Sequence, residues 1–452
     1  SKKLATISLD APVQFEEKAY RIEGANKEKL AELFRELEFR SLAQSVLGGH
    51  SSTASNLLFG VEEKIEKTPL PLTEYKVSDH DIYNTPHEYH LVLEEKDLLQ
   101  LFDKLQNSKI ISFDTETTGI DATAAELVGM SFAFKPKEAY YVPVDRDQKK
   151  AQQLVDKFKP FLEDVHKKFV GQNIKYDMLM MLQYGVNMPR PYFDTMIAHY
   201  LIEPDLRHKL DFLSEAYLNY KMVGIEELIG KKSPEQGSMR DVPLEKIKEY
   251  AAEDADITLQ LQPILEKEII NFEVNDVLQN IELPLVKVLC DIEHAGVRVD
   301  ADFLNNYSKV LGKQIEITEN EIYSKAGVRF NIASPKQVGE VLFDRLKIPY
   351  KWKKTSTNQY STDEEKLNEL ADENEVVKTI LEHRKLSKLK STYVDALPLM
   401  INQKTGRVHS SFNQARAATG RLASENPNLQ NIPIKDEAGR EIRKAFIPRD
   451  EN

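Results

Sequence analysis

Ile110-Ile-Ser-Phe-Asp-Thr-Glu-Thr-Thr-Gly119 sets two acids, Asp114 and Glu116, one residue apart at the end of an apolar run. A strand sends alternate side chains to the same face, so both carboxylates point at one spot. Like charges held that close raise a pKa and cost folding energy unless a cation neutralises them. Hard divalent ions such as Mg²⁺ take oxygen ligands of this kind. Such a stretch suits a strand ending at a metal-binding corner, although an isolated Asp-x-Glu more often ends in a solvated acidic turn.

Two further segments favour the corner. Phe169-Val-Gly-Gln-Asn-Ile-Lys-Tyr-Asp177 reads as a short buried strand, a glycine turn and the start of a helix carrying Asp177. Tyr250-Ala-Ala-Glu-Asp-Ala-Asp256 lies on an alanine-rich helical stretch, where Tyr250 and Asp254 share one face at i,i+4. Taken alone, Asp177 would serve the helix dipole and the Tyr/Asp pair a surface hydrogen bond. In this order, however, the three motifs resemble the proofreading 3′–5′ exonuclease of the family A DNA polymerases. The resemblance implies an α/β, ribonuclease H-like domain, a mixed sheet covered by helices, using four acids and a tyrosine.

It also implies the roles. Asp114 would bridge two divalent ions, Mg²⁺ or Mn²⁺ with Zn²⁺ an option at one position. Glu116 and Asp254 would complete the first site and Asp177 the second. Tyr250, neutral at pH 7 from its ordinary pKa of about 10, would aim the attacking water together with Glu116. Ile120 would wedge against the terminal bases, while Gln172 and Asn173 hold the strand end. Ile225 stands where relatives can carry Phe as a second wedge. Lys175, Glu253 and Asp256 receive no necessary role; Glu253 points about a hundred degrees away from Asp254 on a helix and is expected in solvent. Asp194 is expected to serve the core or a helix start.

The size of 452 residues suits two or three domains. Cys290 is the only cysteine, which excludes an intrachain disulfide and fits a reducing compartment. With no run of 18 apolar residues and no signal-peptide core after Ser1-Lys-Lys-Leu, the chain is expected away from membranes, and the resemblance implies a cytoplasmic, nucleoid-associated bacterial protein. A net charge of −12 argues at first against nucleic acid. Yet residues 383–452 hold 13 Lys/Arg against 7 Asp/Glu, leaving −18 on the rest. A basic C-terminal region beside an acidic metal cleft is compatible with a duplex grip.

Along the chain, residues 27–47 have helical spacing and resemble the tail of the 5′-nuclease region that precedes proofreading domains. Gly48-Gly-His-Ser-Ser-Thr-Ala-Ser55 reads as a linker, extending to Thr68-Pro-Leu-Pro-Leu-Thr73. The expected division is 1–80 for tail and linker, 81–274 for the exonuclease, and 275–452 for a mainly helical polymerase thumb and partial palm. Strands are expected at 110–113, 127–134 and 139–144, with a hairpin turn at Lys135-Pro-Lys-Glu138. Helices are expected at 148–163, 175–184, 195–203 and 244–268, and further on at 283–295, 301–324 and 364–397. Lys347–Thr357 holds the only tryptophan, Trp352, among four lysines and reads as an exposed loop or a DNA-contacting thumb tip. Gly230-Lys-Lys-Ser233 lacks the upstream glycine of a phosphate loop. His87 and His90 lack a second ligand pair for zinc.

His383-Arg-Lys-Leu-Ser-Lys-Leu-Lys-Ser-Thr-Tyr393 and Thr419-Gly-Arg-Leu-Ala-Ser-Glu-Asn-Pro-Asn-Leu-Gln-Asn-Ile-Pro433 are similar to family A DNA polymerases. That similarity implies DNA binding by Arg384 and Lys388. It places Arg421, Asn428, Gln430 and Asn431 near the primer terminus or template duplex, with Lys435 where relatives often have Arg. In the family, the palm strand bearing the first polymerase aspartate follows the position of Asn452, so no nucleotide transfer is expected from this polypeptide, whose parent would polymerise DNA. The implied partners are single-stranded or frayed 3′ ends and a primer–template duplex, bound by a monomer. Other readings are a catalytically silent DNA-binding remnant and a stand-alone repair exonuclease.

Overall fold

A computed structural model describes residues 78–448 apart from 234, 435 and 436, together with Lys29. Apart from Lys29, the expected helix at 27–47 lies outside the described residues, as do both linker stretches and Lys435. The chain divides into the units Ser1–Tyr75 and Lys76–Asn452, of which the second is described here. No helix among the described residues is long and apolar enough to cross a membrane.

The first half is built on a six-stranded sheet. Its elements are β1 (Glu88–Leu91), α1 (Glu95–Asn107), β2 (Ile110–Thr117), β3 (Leu127–Lys135), β4 (Glu138–Pro143), α2 (Gln148–Leu162), β5 (Lys168–Gly171), α3 (Lys175–Gln183), β6 (Phe193–Asp194), α4 (Thr195–Ile202), α5 (Leu210–Leu218) and α6 (Leu244–Asn271). The strand order is β1-β4-β3-β2-β5-β6. The central strands β2, β3 and β4 pair antiparallel; β5 adds parallel to β2, and β6 parallel to β5. This is the expected ribonuclease H-like mixed sheet, with β1 added at one edge.

The two faces of β2 have different neighbours. Ile111 and Phe113 are fully buried; Phe113 packs on Phe132, which stacks on Phe158 of α2. On the opposite face small residues predominate: Ser112 pairs with Ala133, Asp114 with Ser131 and Glu116 with Gly129. Ala133 and Ala139 pack there against Ala252, Ala255 and Leu259 of α6. Small side chains on both partners let α6 approach the sheet closely, which explains its alanine content better than helix propensity does. Gly129 has a specific reason to be glycine, because a Cβ there would come within 2.3 Å of the Tyr141 ring.

The β3–β4 turn consists of Pro136 and Lys137. Lys137 sits at φ 66°, in the left-handed region, and its N–H donates to Asp256 Oδ1 at 2.7 Å. Asp256 also accepts from Tyr89 Oη at 2.9 Å and is buried. The expectation that Asp256 lacks a role is thus corrected: it pins the hairpin turn to α6.

The second half is mainly helical. It contains α7 (Leu283–Ala295), α8 (Ala301–Ala326), α9 (Glu364–Ala371) and α10 (Glu375–Leu389), followed by an antiparallel pair, β7 (Ser411–Asn413) and β8 (Ala423–Glu425). One core joins α8 and α10 to Ile432, Ile442 and Ala445, and another gathers Ile322, Leu342, Leu367 and Ile380. Trp352 is partly buried on that second core, 5.4 Å from Tyr350 between ring centroids. The expected exposed loop is therefore corrected for Trp352, whose ring is largely occupied in packing.

Candidate active site

Three segments remote in sequence meet at the open end of β2. Alternation puts Asp114 and Glu116 on the face covered by α6, and α6 contributes Asp254, one turn beyond Tyr250. One carboxylate oxygen from each of Asp114, Glu116 and Asp254 lies within 4.8 Å of the others. Glu116 is buried; Asp114 and Asp254 keep partial exposure, which leaves a way in.

Carboxylates packed this closely hold one another's pKa up. Burial pushes Asp114 up to about 7, with the Thr115 backbone N–H pulling the other way. Burial, then the nearby Asp114, holds Glu116 well above the ordinary carboxylate range. Asp254 is raised by burial, then by Asp114 and Glu116. Tyr250 is pushed far above its usual value by burial and by Asp254, so its hydroxyl keeps its proton. A three-oxygen donor set of this spacing and polarity fits a hard divalent cation, which would reverse the carboxylate shifts.

Asp177 arrives from the other side of the strand. β5 pairs with β2 only as far as Ser112↔Val170, so the β2 edge beyond is open. Thr115 donates its N–H (2.9 Å) and its hydroxyl (2.6 Å) to Asp177 Oδ1. Burial, then Asp114, raises Asp177 as well. Asp177 thus stands close enough to Asp114 to feel its charge without joining the three-oxygen cluster.

Ile120 lies after β2, and Gln172 and Asn173 lie between β5 and α3. Ile120 is 91 % exposed at the turn after β2. Asn173 adopts φ 55°, and its N–H reaches Asp194 Oδ1 at 3.3 Å. Fully buried Asp194 also accepts from Ile174 N (2.9 Å) and Ile197 N (3.1 Å), capping α4, so it is the helix start the sequence suggested. Gln172 is committed to the chain on both sides of its amide, donating to His208 O at 2.7 Å and accepting from Thr195 Oγ1 at 2.5 Å. Ile225 is exposed.

Other residues escaped the sequence reading. Tyr176 donates its hydroxyl to the Gly119 carbonyl and shares a 2.6 Å hydrogen bond with Thr117 Oγ1, tying α3 to the turn that carries Ile120. Its place directly before Asp177 was the available signal. Glu253 was expected in solvent and is instead fully buried, accepting from Tyr220 Oη (2.7 Å) and Val223 N (2.8 Å). A helix packed between a sheet and a flanking loop has no solvated side at that position. Lys175, also given no role, is clamped by Glu293 and the Phe412 carbonyl.

Toward the C-terminus, Arg384, Lys388, Asn428 and Asn431 line one groove of about 1010 Å³ with Lys385 and Arg416. Lys388, Asn428 and Asn431 are exposed. Arg384 is half-buried, and its guanidinium donates to Thr362 O and, at 3.2 Å, to Thr362 Oγ1. Asn428 Oδ1 accepts from Gln430 N (3.1 Å) and Asn431 N (3.2 Å), capping the turn that holds both. Exposed Arg421 and Gln430 are not among the residues lining this groove.

Two family models match different parts of the chain. A family model described as 3′–5′ exonuclease matches residues 89–270, and one described as DNA polymerase family A matches 301–452. The chain belongs to the family A DNA polymerases. It is 39% identical to DNA polymerase I of Pseudomonas aeruginosa, over 99% of this chain and 48% of that protein. Identity is 41% to DNA polymerase I of Borreliella burgdorferi, over 81% of this chain and 40% of that protein. The chain therefore spans about half the length, or less, of these relatives. A solved structure, the POL domain of Pol1 from M. smegmatis in complex with DNA primer-template and dNTP, matches with a TM-score of 0.66 and 29% identity. That match covers 79% of this chain and 58% of the other.

Proposed function

We propose that this family A chain removes nucleotides one at a time from single-stranded or frayed 3′ ends of DNA, the proofreading reaction, releasing nucleoside 5′-monophosphates. The observation that carries the reading is the convergence of Asp114, Glu116 and Asp254, with oxygens within 4.8 Å of one another, beside Tyr250 on the same helix as Asp254. Asp114, Glu116 and Asp254 would hold one divalent ion, and Asp177 with Asp114 a second. Such ions, Mg²⁺ or Mn²⁺ with Zn²⁺ an option at one position, supply an activated water and charge for the leaving 3′-oxygen.

The chain's own residues do the rest. Tyr250, still protonated, and Glu116 orient the water for in-line attack. Ile120, exposed at the rim, separates the terminal base from its neighbour. Asn173 holds the sugar-phosphate of the strand end, and Gln172, whose amide is spent on His208 and Thr195, contributes by fixing that loop. Lys388, Asn428 and Asn431 face duplex DNA from the groove, with Arg384 shaping its wall. Arg421, Gln430 and the turn capped by Asn428 then test the minor-groove edge, whose acceptors are common to all correct pairs.

The proposed division is 81–274 for the exonuclease and 275–452 for the thumb and partial palm, supported by the matched spans 89–270 and 301–452. The parent protein would polymerise DNA in replication and repair, in the bacterial cytoplasm at the nucleoid. All five site residues come from one chain, so a monomer suffices. A silent remnant is less well supported, because all four acids and Tyr250 are present and three of the acids cluster. A stand-alone exonuclease is less well supported because of the polymerase match.

Polarity and product test the proposal. A 5′-labelled single strand incubated with Mn²⁺ should shorten stepwise, giving a ladder and mononucleotides. Internal cuts, or loss of the label first, would reject the 3′–5′ reading.

A further inference from the structure

Lys175 is the first residue of α3, where the helix dipole disfavours a cation, and its side chain is nearly buried. Its ammonium is held from outside the exonuclease domain: by Glu293 of α7, which is also nearly buried, and by the carbonyl of Phe412 on β7. Glu293 Oε1 in turn accepts from Phe412 N at 2.7 Å, so three elements close on one ion pair. This junction adjoins Ile120 and Asn173, the residues proposed above to engage the strand end. A cavity of about 160 Å³ is lined by Ile120, Asn173 and Tyr176 together with Lys175, Ser411 and Phe412.

A second tie runs in parallel. Tyr200, on the helix that Asp194 caps, donates to Ala417 O at 2.7 Å and accepts from Gly420 N at 3.1 Å. The loop carrying Asn173 is fixed by Asp194, which accepts from Asn173 N and Ile174 N, and by Lys175 directly after it. Asp177, two residues on, has its own support from Thr115.

We propose that Lys175 is a positioning residue for strand-end binding: clamped by Glu293 and Phe412, it sets Asn173 against a wall of the cleft supplied by the polymerase region. The inference rests on the exonuclease reading above. Because Thr115 keeps Asp177 in place, loss of the clamp loosens binding of the strand and spares the chemical step.

The test uses the whole chain with Lys175→Met, Glu293→Gln and the double variant. Glu293→Gln keeps an acceptor for the Phe412 amide, and the double variant leaves no lone buried charge, so it tests the role even if Lys175→Met alone does not fold. KM and kcat are measured on a short 3′-labelled single strand with Mn²⁺, and binding of the same strand in EDTA is measured by fluorescence anisotropy. Lys175→Met and the double variant should each raise KM and the EDTA dissociation constant about tenfold, with kcat within about threefold. The double variant should be no worse than the single, because both changes break one interaction. Unchanged KM and binding with only a lower melting temperature would make Lys175 a structural brace and overturn the proposal. A fall in kcat at unchanged KM would overturn it too. If the unmodified chain degrades nothing, the exonuclease reading fails instead, and the EDTA binding arm still decides the role of Lys175.

Discussion

Thr115 holds Asp177 through two donors, its backbone N–H at 2.9 Å and its hydroxyl at 2.6 Å, both to Oδ1. The residue between the two acids of β2 thereby aims the acid that comes from α3. Both faces of one short strand end are used.

Thr115→Val removes the hydroxyl at nearly constant shape and leaves the amide donor. Exonuclease kcat should fall about tenfold, while urea unfolding shows a loss of about 1–2 kcal/mol. An unchanged kcat would mean that Asp177 needs no aiming.

Glu253 sits beside Asp254 in sequence and serves a different purpose. Burial pushes it up to about 7, and it accepts from Tyr220 and Val223. Glu253→Ala should cost about 2–3 kcal/mol in urea unfolding, through two donors left without an acceptor. The kcat of the folded variant should stay within about threefold of the parent. A large selective loss of kcat would move Glu253 into the catalytic machinery.

Glu138 reports on the β3–β4 hairpin. Its buried carboxylate takes Lys104 at 2.8 Å, Lys135, and the Tyr140 hydroxyl at 2.6 Å. Burial pushes its pKa up, but the two lysines and the tyrosine outweigh burial and hold it at about 2. A lowered carboxylate stabilises the fold above its ordinary pKa of 4.5 and loses that contribution as pH falls through about 2. Glu138→Gln should therefore destabilise by about 1–3 kcal/mol near neutral pH, and the difference from the parent should vanish toward pH 2. Melting temperatures measured across that range check it; a difference that grows on acidification contradicts it.

Ile120 and Arg421 should separate the two DNA contacts. Ile120→Ala removes an exposed side chain, so it should raise KM for a single strand about threefold to tenfold without changing thermal stability. Arg421→Ala should leave that KM alone and weaken binding of a primer–template duplex by about 1–3 kcal/mol. Equal effects of both variants on both substrates would dissolve the distinction.

Much of this was legible in the sequence, and the gaps have physical causes. Strands with buried faces read well: 110–113 extends to 117, and 127–134 and 139–144 become Leu127–Lys135 and Glu138–Pro143. Asp114 and Glu116 were legible from the strand period, and the family resemblance joined Asp177, Tyr250 and Asp254 to them. Glu253 and Asp256 were misread because a helix wheel shows direction but not what packs there; both meet buried donors from distant segments. Lys175 was opaque for the same reason, since its partners lie more than a hundred residues away. Trp352 looked exposed among lysines because its aromatic neighbour Tyr350 completes a core only after folding.

The central claim is that Asp114 and Glu116 belong to a metal-dependent nuclease site. Its most direct measurement is degradation of 3′-labelled single-stranded DNA with and without Mg²⁺ or Mn²⁺, beside an Asp114→Ala/Glu116→Ala control. The account predicts label release by the unmodified chain only with metal, and a loss of at least about a thousandfold in the control. Equal release by the control, or none by the folded chain with either metal, would contradict it.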